Sequence, residues 1–427
     1  MPRAHRAARI AVNLRVAMLS VHTCPLAALG GKQTGGMNVY VRELSRELGR
    51  MGVLVDVFTR SQNPAIPRVV PFAPGVRVIH LAAGPEAPMP RERVVDHLDD
   101  FVDGADAWRI ADGDYDLIHA HYWLSGAAGL ALRGRWGAPV LQMFHTLGRL
   151  KNRVAPAAAE REPAARIAAE ERIIRSADRI VAANVVERAH LGLYYGADPR
   201  RVAVIPCGVD TELFAPRDRQ AARRALGLDG RPVVLYVGRI APIKGLGTLL
   251  DAVARLRAGG RDLRLLVIGG EADEPADGHE ASLRARALRL GLGEAARFLG
   301  AQPQDVLPAY YAAADVTVLP SHYESFGMVA LEAMACGSPV IASRVGGLTT
   351  TVHDGVTGFL VPEGDVAALA ERIAALLADP DLAWRVGREG VRRAAQHRWP
   401  CVAEAVCREY ATLEARAGSH LAAARCR

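Results

Sequence analysis

Aromatic residues are scarce in this chain, 5% of 427, while half of the residues are hydrophobic. That balance argues against a β-sandwich and against a disordered chain, and favours layered helices and sheets rich in Leu, Val and Ala. No uninterrupted apolar run reaches the roughly 18 residues that a membrane-spanning helix needs. Nor do the basic first residues, Met1 to Ile10, contain the apolar core and cleavage site of a secretory signal. They read as a disordered extension over 1–14. Cysteine is sparse as well. Cys24, Cys207, Cys336, Cys401, Cys407 and Cys426 show neither C-x-x-C nor metal-ligand spacing, so they read as reduced thiols of a cytoplasmic protein.

Basic residues exceed acidic ones, giving a net charge of +7. They are dispersed and accompany no RNA- or DNA-binding motif, so nucleic acid is not an expected partner. Anionic small molecules account for the excess, which would also allow weak association with an acidic membrane surface. The sequence leaves homodimerisation open.

The length exceeds what one core usually supports. Short apolar strands alternate with helical stretches, from the strand at Val16 to the one at Val202, and again from Pro232 to Ser343. Each series predicts a parallel sheet wrapped by helices. The expected division is 15–208 for a first domain, 209–216 for a linker, 217–398 for a second domain, and 399–427 for a last helix and tail. Trp399-Pro400 is expected to kink or break that last helix.

In the second series, Glu324 and Glu332 lie eight residues apart across an expected helix start near Phe326. A helical rise of about 1.5 Å per residue separates their carboxylates by roughly 12 Å, close to the span from hexose to ribose in a nucleotide sugar. Between them, the backbone N–H groups of Phe326, Gly327 and Met328 would face a diphosphate at a helix N-terminus. Arg239 and Lys244 follow the apolar run Pro232–Val237, where open α/β sheets bind ligands. Two fixed cations there suit a leaving diphosphate. A Gly346-Gly347 turn follows in order. The first series offers a glycine-rich loop, Gly30 to Asn38, whose Gly35, Gly36 and Asn38 would contact the sugar–phosphate junction. His119 to Gly126 and Phe144 to Asn152 each follow an apolar strand and project polar groups from strand ends.

These motifs, Gly-Arg-x4-Lys, Glu-x7-Glu and the Gly-Gly turn, resemble those of retaining nucleotide-sugar glycosyltransferases of the group 1 / family 4 type. The resemblance runs from about Arg15 to about Tyr410 and implies the GT-B fold, two Rossmann-like parallel-sheet domains facing across a cleft. It further implies transfer of a hexosyl group, from UDP-N-acetylglucosamine or UDP-glucose, to a small phosphorylated polyol or sugar such as inositol phosphate. Glu324 would hold the donor sugar, Arg239 and Lys244 the departing diphosphate, Glu332 the ribose, and Gln302 the base. Tyr122, Thr146, Arg166 and Arg91 would hold the acceptor phosphate, with His22 near the acceptor ring. His121 is a catalytic candidate that reads equally well as a core histidine.

No cofactor is required on this reading. Mg²⁺ is compatible, but Arg239, Lys244 and a helix N-terminus can supply the positive field. Three alternatives stay open: transfer to fructose 6-phosphate in the manner of sucrose-phosphate synthase, with the Gly148-Arg149 pair as its pointer; a phosphoinositide or glycolipid mannosyltransferase; and a nucleotide-sugar-binding relative without catalysis.

Overall fold

The computed structural model describes residues 14–27, 34–155, 158–270 and 278–425, with side chains to 415. The basic extension, the start of the glycine-rich loop and most of the acidic insert 271–280 lie outside the described residues. By packing, the chain divides into two units. One comprises the chain up to Ala27, Gly36–Pro206 and the chain from Trp399; the other comprises Ala28–Gly35 and Cys207–Arg398.

The first unit holds an eight-stranded sheet of β1 (Arg15–Leu19), β2 (Leu54–Arg60), β3 (Val69–Ala73), β4 (Val76–Leu81), β5 (Leu117–His121), β6 (Val140–Met143), β7 (Arg179–Ala182) and β8 (Val202–Val204). Their spatial order is β3-β4-β2-β1-β5-β6-β7-β8. Every pairing is parallel except β3 with β4. Pro71 lies in β3, the edge strand, where a missing N–H is tolerated. The second unit holds β9 (Val233–Val237), β10 (Arg264–Ile268), β11 (Ala296–Phe298), β12 (Val316–Leu319), β13 (Val340–Ser343) and β14 (Phe359–Val361), ordered β11-β10-β9-β12-β13-β14 and wholly parallel. The expected class, two parallel-sheet α/β domains, is what the chain forms.

Helices on both faces bury these strands, which is why β5, β10, β12 and β13 read as continuous apolar or buried runs instead of alternating ones. Side-chain caps start several helices. Asn184 accepts from Glu187 N, Asp365 from Ala368 N, and Asp379 from Leu382 N with Pro380 at the first helical position. Strand order reverses between β1 and β5 in one sheet and between β9 and β12 in the other. Ligand crevices of open α/β sheets form beyond the carboxyl ends of strands at such points.

Trp399-Pro400 does not break the last helix. Proline occupies its first turn, where the missing N–H has no intrahelical partner to lose, and the helix runs from Trp399 to Arg425. Within the first unit, Tyr410 Oη lies 2.7 Å from His119 Nδ1 and the Trp399 ring sits edge-on to Tyr40, 5.5 Å away.

Candidate functional site

In the second unit the carboxyl end of the sheet is built around Glu324. Lys244 Nζ lies 2.5 Å from Glu324 Oε2, an ion pair of two partly exposed groups that joins the motif after β9 to the motif after β12. Gly245 holds a φ of +66°, and a Cβ there would meet Pro320 O at 2.0 Å. The chain can bring Lys244 alongside the end of β12 only with glycine at that position. Gly346 plays the same part for the Gly-Gly turn. At φ +44° its Cβ position is 2.1 Å from Glu324 O, and that carbonyl accepts from Gly347 N at 2.9 Å. The turn thus props the backbone of Glu324.

The helix between the two glutamates begins at Met328 and not near Phe326, because Gly327 caps it in the left-handed conformation at φ +89°. Phe326 and Gly327 are buried and Met328 is half-buried. Glu332 is nearly buried on that helix, and its Oε2 accepts from Tyr311 Oη at 2.9 Å. Arg239 is exposed on the loop after β9, where its carbonyl accepts from Tyr236 Oη at 2.8 Å. Gln302 follows β11 and its Nε2 donates to Leu299 O at 2.8 Å. Gly35 clusters with this unit and Gly36 opens the first helix of the other.

In the first unit, five of the residues picked out above converge. The His22 ring is 4.7 Å from that of Tyr122. The guanidinium carbons of Arg166 and Arg91 lie 4.8 and 5.6 Å from the Tyr122 centroid. Arg166 Nη2 donates to Thr146 O at 3.0 Å and to Thr146 Oγ1 at 3.1 Å. The Tyr122 backbone, directly after β5, has a φ of +76°, and His145, just beyond β6, has +59°. Non-glycine residues pay strain for that region and hold it where surrounding structure enforces it, often at functional sites.

Arg166 is 1% exposed. Its Nε donates to Glu170 Oε1 at 2.8 Å, while Nη1 lies 2.9 Å from Glu162 Oε2 without a hydrogen bond directed at any acceptor. Glu162 is also ion-paired with Lys151 and stands 3.7 Å from Arg91. Burial alone would raise the Glu162 carboxyl, but the Arg166 and Lys151 charges outweigh it and hold it down to about 2. Burial, with Arg91 adding to it, lowers His22 to about 3, so its ring is neutral at pH 7; its buried Nδ1 has no hydrogen-bond partner. The cluster can therefore accept an anion while His22 remains an uncharged donor or acceptor.

Two expectations change. Asn38 does not line an open surface. It is fully buried, and its Nδ2 donates to Thr23 Oγ1 at 2.7 Å and to Cys24 O at 2.8 Å, so it fixes the loop carrying His22. His121 belongs to a buried histidine stack: its Nδ1 is 3.0 Å from His145 Nε2, its ring is 4.3 Å from that of His119, and burial keeps it well below the usual histidine range. Its Nε2 is buried without a partner. Lys151, Glu162 and Tyr311 were not singled out from the sequence. Glu162 lies just before the N-cap Pro163 of the helix that carries Arg166, and its closeness in sequence to Arg166 was the available signal; Tyr311 carried none.

Cations and a carboxylate gathered beyond the strand ends of a parallel α/β domain suit a phosphorylated sugar, and the family matches give the class, the sugar-transferring enzymes. Residues 34–213 match the model of Glycosyltransferase Family 4, and residues 218–393 match that of Glycosyl transferases group 1. The chain belongs to this glycosyltransferase family. Similar relatives include the D-inositol 3-phosphate glycosyltransferase of Kribbella flavida, 44% identical over 93% of this chain and 95% of the relative, and that of Geodermatophilus obscurus, 46% identical over 89% and 86%. Among solved structures, sucrose-phosphate synthase from Thermosynechococcus elongatus is 39% identical, with a TM-score of 0.88 over 94% of this chain and 100% of that one. Anabaena HepE, solved with UDP and glucose, is 21% identical with a TM-score of 0.73 over 93% and 100%, and shares the fold.

Proposed function

We propose that the protein transfers a hexosyl group, N-acetylglucosaminyl or glucosyl, from a UDP-linked donor to a small phosphorylated polyol, with an inositol phosphate as the leading acceptor. The observation that carries the acceptor class is the convergence of Arg91, Lys151 and Arg166 on Glu162 beside the strained Tyr122. A phosphomonoester matches such a cation cluster in charge and, through the guanidinium forks, in geometry. The curated relatives, named for D-inositol 3-phosphate, support the same acceptor.

On this reading the second unit binds the donor. Glu324 takes sugar hydroxyls, Arg239 and Lys244 the diphosphate, Glu332 the ribose, and Gln302 a base edge, while the N–H groups of Phe326, Gly327 and Met328 face the phosphates. Gly35 and Gly36 permit close backbone approach. Thr146, Tyr122 and Arg166 hold the acceptor phosphate, His22 its ring, and Asn38 positions His22. His121, fully buried in the histidine stack, is assigned no contact with either substrate. The acceptor oxygen attacks the anomeric carbon on the face from which UDP leaves. The bond from that carbon to the β-phosphate oxygen breaks with its electron pair on UDP, and the acceptor proton passes to a phosphate oxygen. The product is a glycoside of retained configuration plus UDP. No protein carboxylate forms a covalent intermediate.

The test is UDP release with matched acceptors, myo-inositol against D-myo-inositol 3-phosphate. Turnover confined to the phosphorylated form is expected. Equal turnover of both would remove the role of the cation cluster.

A further inference from the structure

The second unit contains a cavity of about 790 Å³ unrelated to the carboxyl ends of its strands. Asp315 and Pro339, two of its lining residues, immediately precede β12 and β13, whereas Glu324 follows β12. The cavity therefore opens at the amino edge of the sheet. Crossing the four residues of β12 alone covers about 13 Å at 3.3 Å per residue.

Its chemistry is specific. Leu376, Leu377 and Val391 supply apolar surface, and Trp384, 62% exposed, offers an unusually open indole. Four arginines line it against a single lining carboxylate, Asp315, which is already ion-paired with Arg219 and Arg223. Arg388 stacks on Trp384 with its guanidinium carbon 4.5 Å from the ring, and shares Glu389 with Arg392 at 3.8 and 2.7 Å. Arg217 makes a 3.4 Å contact to Leu213 O and, among the described residues, forms no ion pair. Cation excess beside an open indole and an apolar wall fits an anion with a flat apolar body.

We infer that this cavity is a second ligand site, for a small organic anion bearing a flat apolar ring, distinct from the sugar-transfer machinery. Its position gives it a route to that machinery. Tyr311, itself fully buried, lies behind the lining, and its hydroxyl holds Glu332. Cys336 and Gly337, also lining, end the helix that carries Glu332. That helix packs tightly on the one bearing Trp384 and Arg388: a Cβ at Gly387 would fall 2.3 Å from Gly337 O. A ligand that shifts the Tyr311 ring moves the hydrogen bond to Glu332. The effect on nucleotide binding rests on the ribose role proposed for Glu332; the cavity's own occupancy does not.

The probe is 8-anilinonaphthalene-1-sulfonate, titrated by calorimetry into the full chain with and without saturating UDP. Expected are saturable one-to-one binding that persists with UDP present, a UDP affinity altered by the probe, and weakening by roughly tenfold or more in Arg217→Glu/Arg388→Glu. Trp384→Ala, at an exposed position, serves as a second variant if the charge reversal does not fold, and is expected to weaken the probe as well. Displacement of the probe by UDP, or binding indifferent to both variants, would overturn the site. A UDP affinity unchanged by bound probe would overturn the coupling. UDP failing to bind in the absence of probe would count against the donor reading instead, leaving the probe titration to stand alone.

Discussion

Replacing Arg166 by lysine should separate acceptor binding from donor binding. The arginine donates Nη2 to both oxygens of Thr146, at 3.0 and 3.1 Å, and Nε to Glu170 at 2.8 Å, from a position 1% exposed. A lysine ammonium is a point charge on a flexible stem. It can stay with Glu170 or Glu162, but it cannot also reach Thr146 with a planar fork. Two hydrogen bonds from a charged donor to Thr146 are then lost; with Thr146 no longer held and the guanidinium fork gone, the acceptor site weakens by about 1.5–3 kcal/mol, or roughly 10- to 150-fold. Because the acceptor phosphate is held alike in the ground state and the transition state, KM for the phosphorylated acceptor should rise by that factor with kcat nearly constant. UDP affinity, read by calorimetry, should not change, since the donor residues lie in the other unit. An unchanged acceptor KM in a folded variant would refute the reasoning, as would a UDP affinity that falls in parallel.

Three further outcomes are expected. Lys151→Met should raise the acceptor KM and spare UDP binding, because it removes a cation from Glu162 without touching the second unit; steady-state kinetics against both substrates checks this. Gly346→Ala places a Cβ 2.1 Å from Glu324 O at φ +44° and should cost about 1–3 kcal/mol in strain, read as weaker UDP binding. Gly355→Ala, with a φ of +75° and no atom near its Cβ position, is the control that carries strain without displacing Glu324. Glu187 should give a pH signature in stability. Burial pushes its carboxyl from 4.5 up to about 7. The folded state then binds the proton more tightly than the unfolded one. Its contribution is full below pH 4.5 and is lost as pH rises through 7, a change on the order of 3 kcal/mol. Glu187→Gln should accordingly gain melting temperature over wild type at pH 8 and not at pH 4.5; an equal difference at both pH values would contradict the burial argument.

Interior strands were legible because a parallel sheet covered on both faces demands continuous apolar runs, as in Val316–Leu319 and Val340–Ser343. The short edge strands at Val69, Ala296 and Phe359 were not, since three to five residues, one of them Pro71, carry too little pattern. Pro400 was misread because the same residue that interrupts a helix interior is tolerated in a first turn. In the site, order showed that the segments just beyond the strand ends project polar groups, and the family resemblance picked out His22, Tyr122 and Thr146 within them. The sharing of Glu162 by Arg91, Lys151 and Arg166 could not, because it joins three separate segments. The left-handed backbone of Tyr122 and His145 was equally invisible, as neither residue type announces it. Asn38 shows the reverse error: a polar residue closing a glycine-rich loop looked ligand-facing, yet it is spent on Thr23 and Cys24 in the segment that follows β1.

The most direct measurement is the mass and anomeric configuration of the product formed from UDP-N-acetylglucosamine and D-myo-inositol 3-phosphate. The account requires an α-linked N-acetylglucosaminyl inositol phosphate, released together with UDP. An inverted linkage would contradict front-face transfer, and UDP bound tightly with no product from this or any other phosphorylated acceptor would contradict the assignment of Arg91, Lys151, Tyr122, Thr146 and Arg166 as an acceptor site.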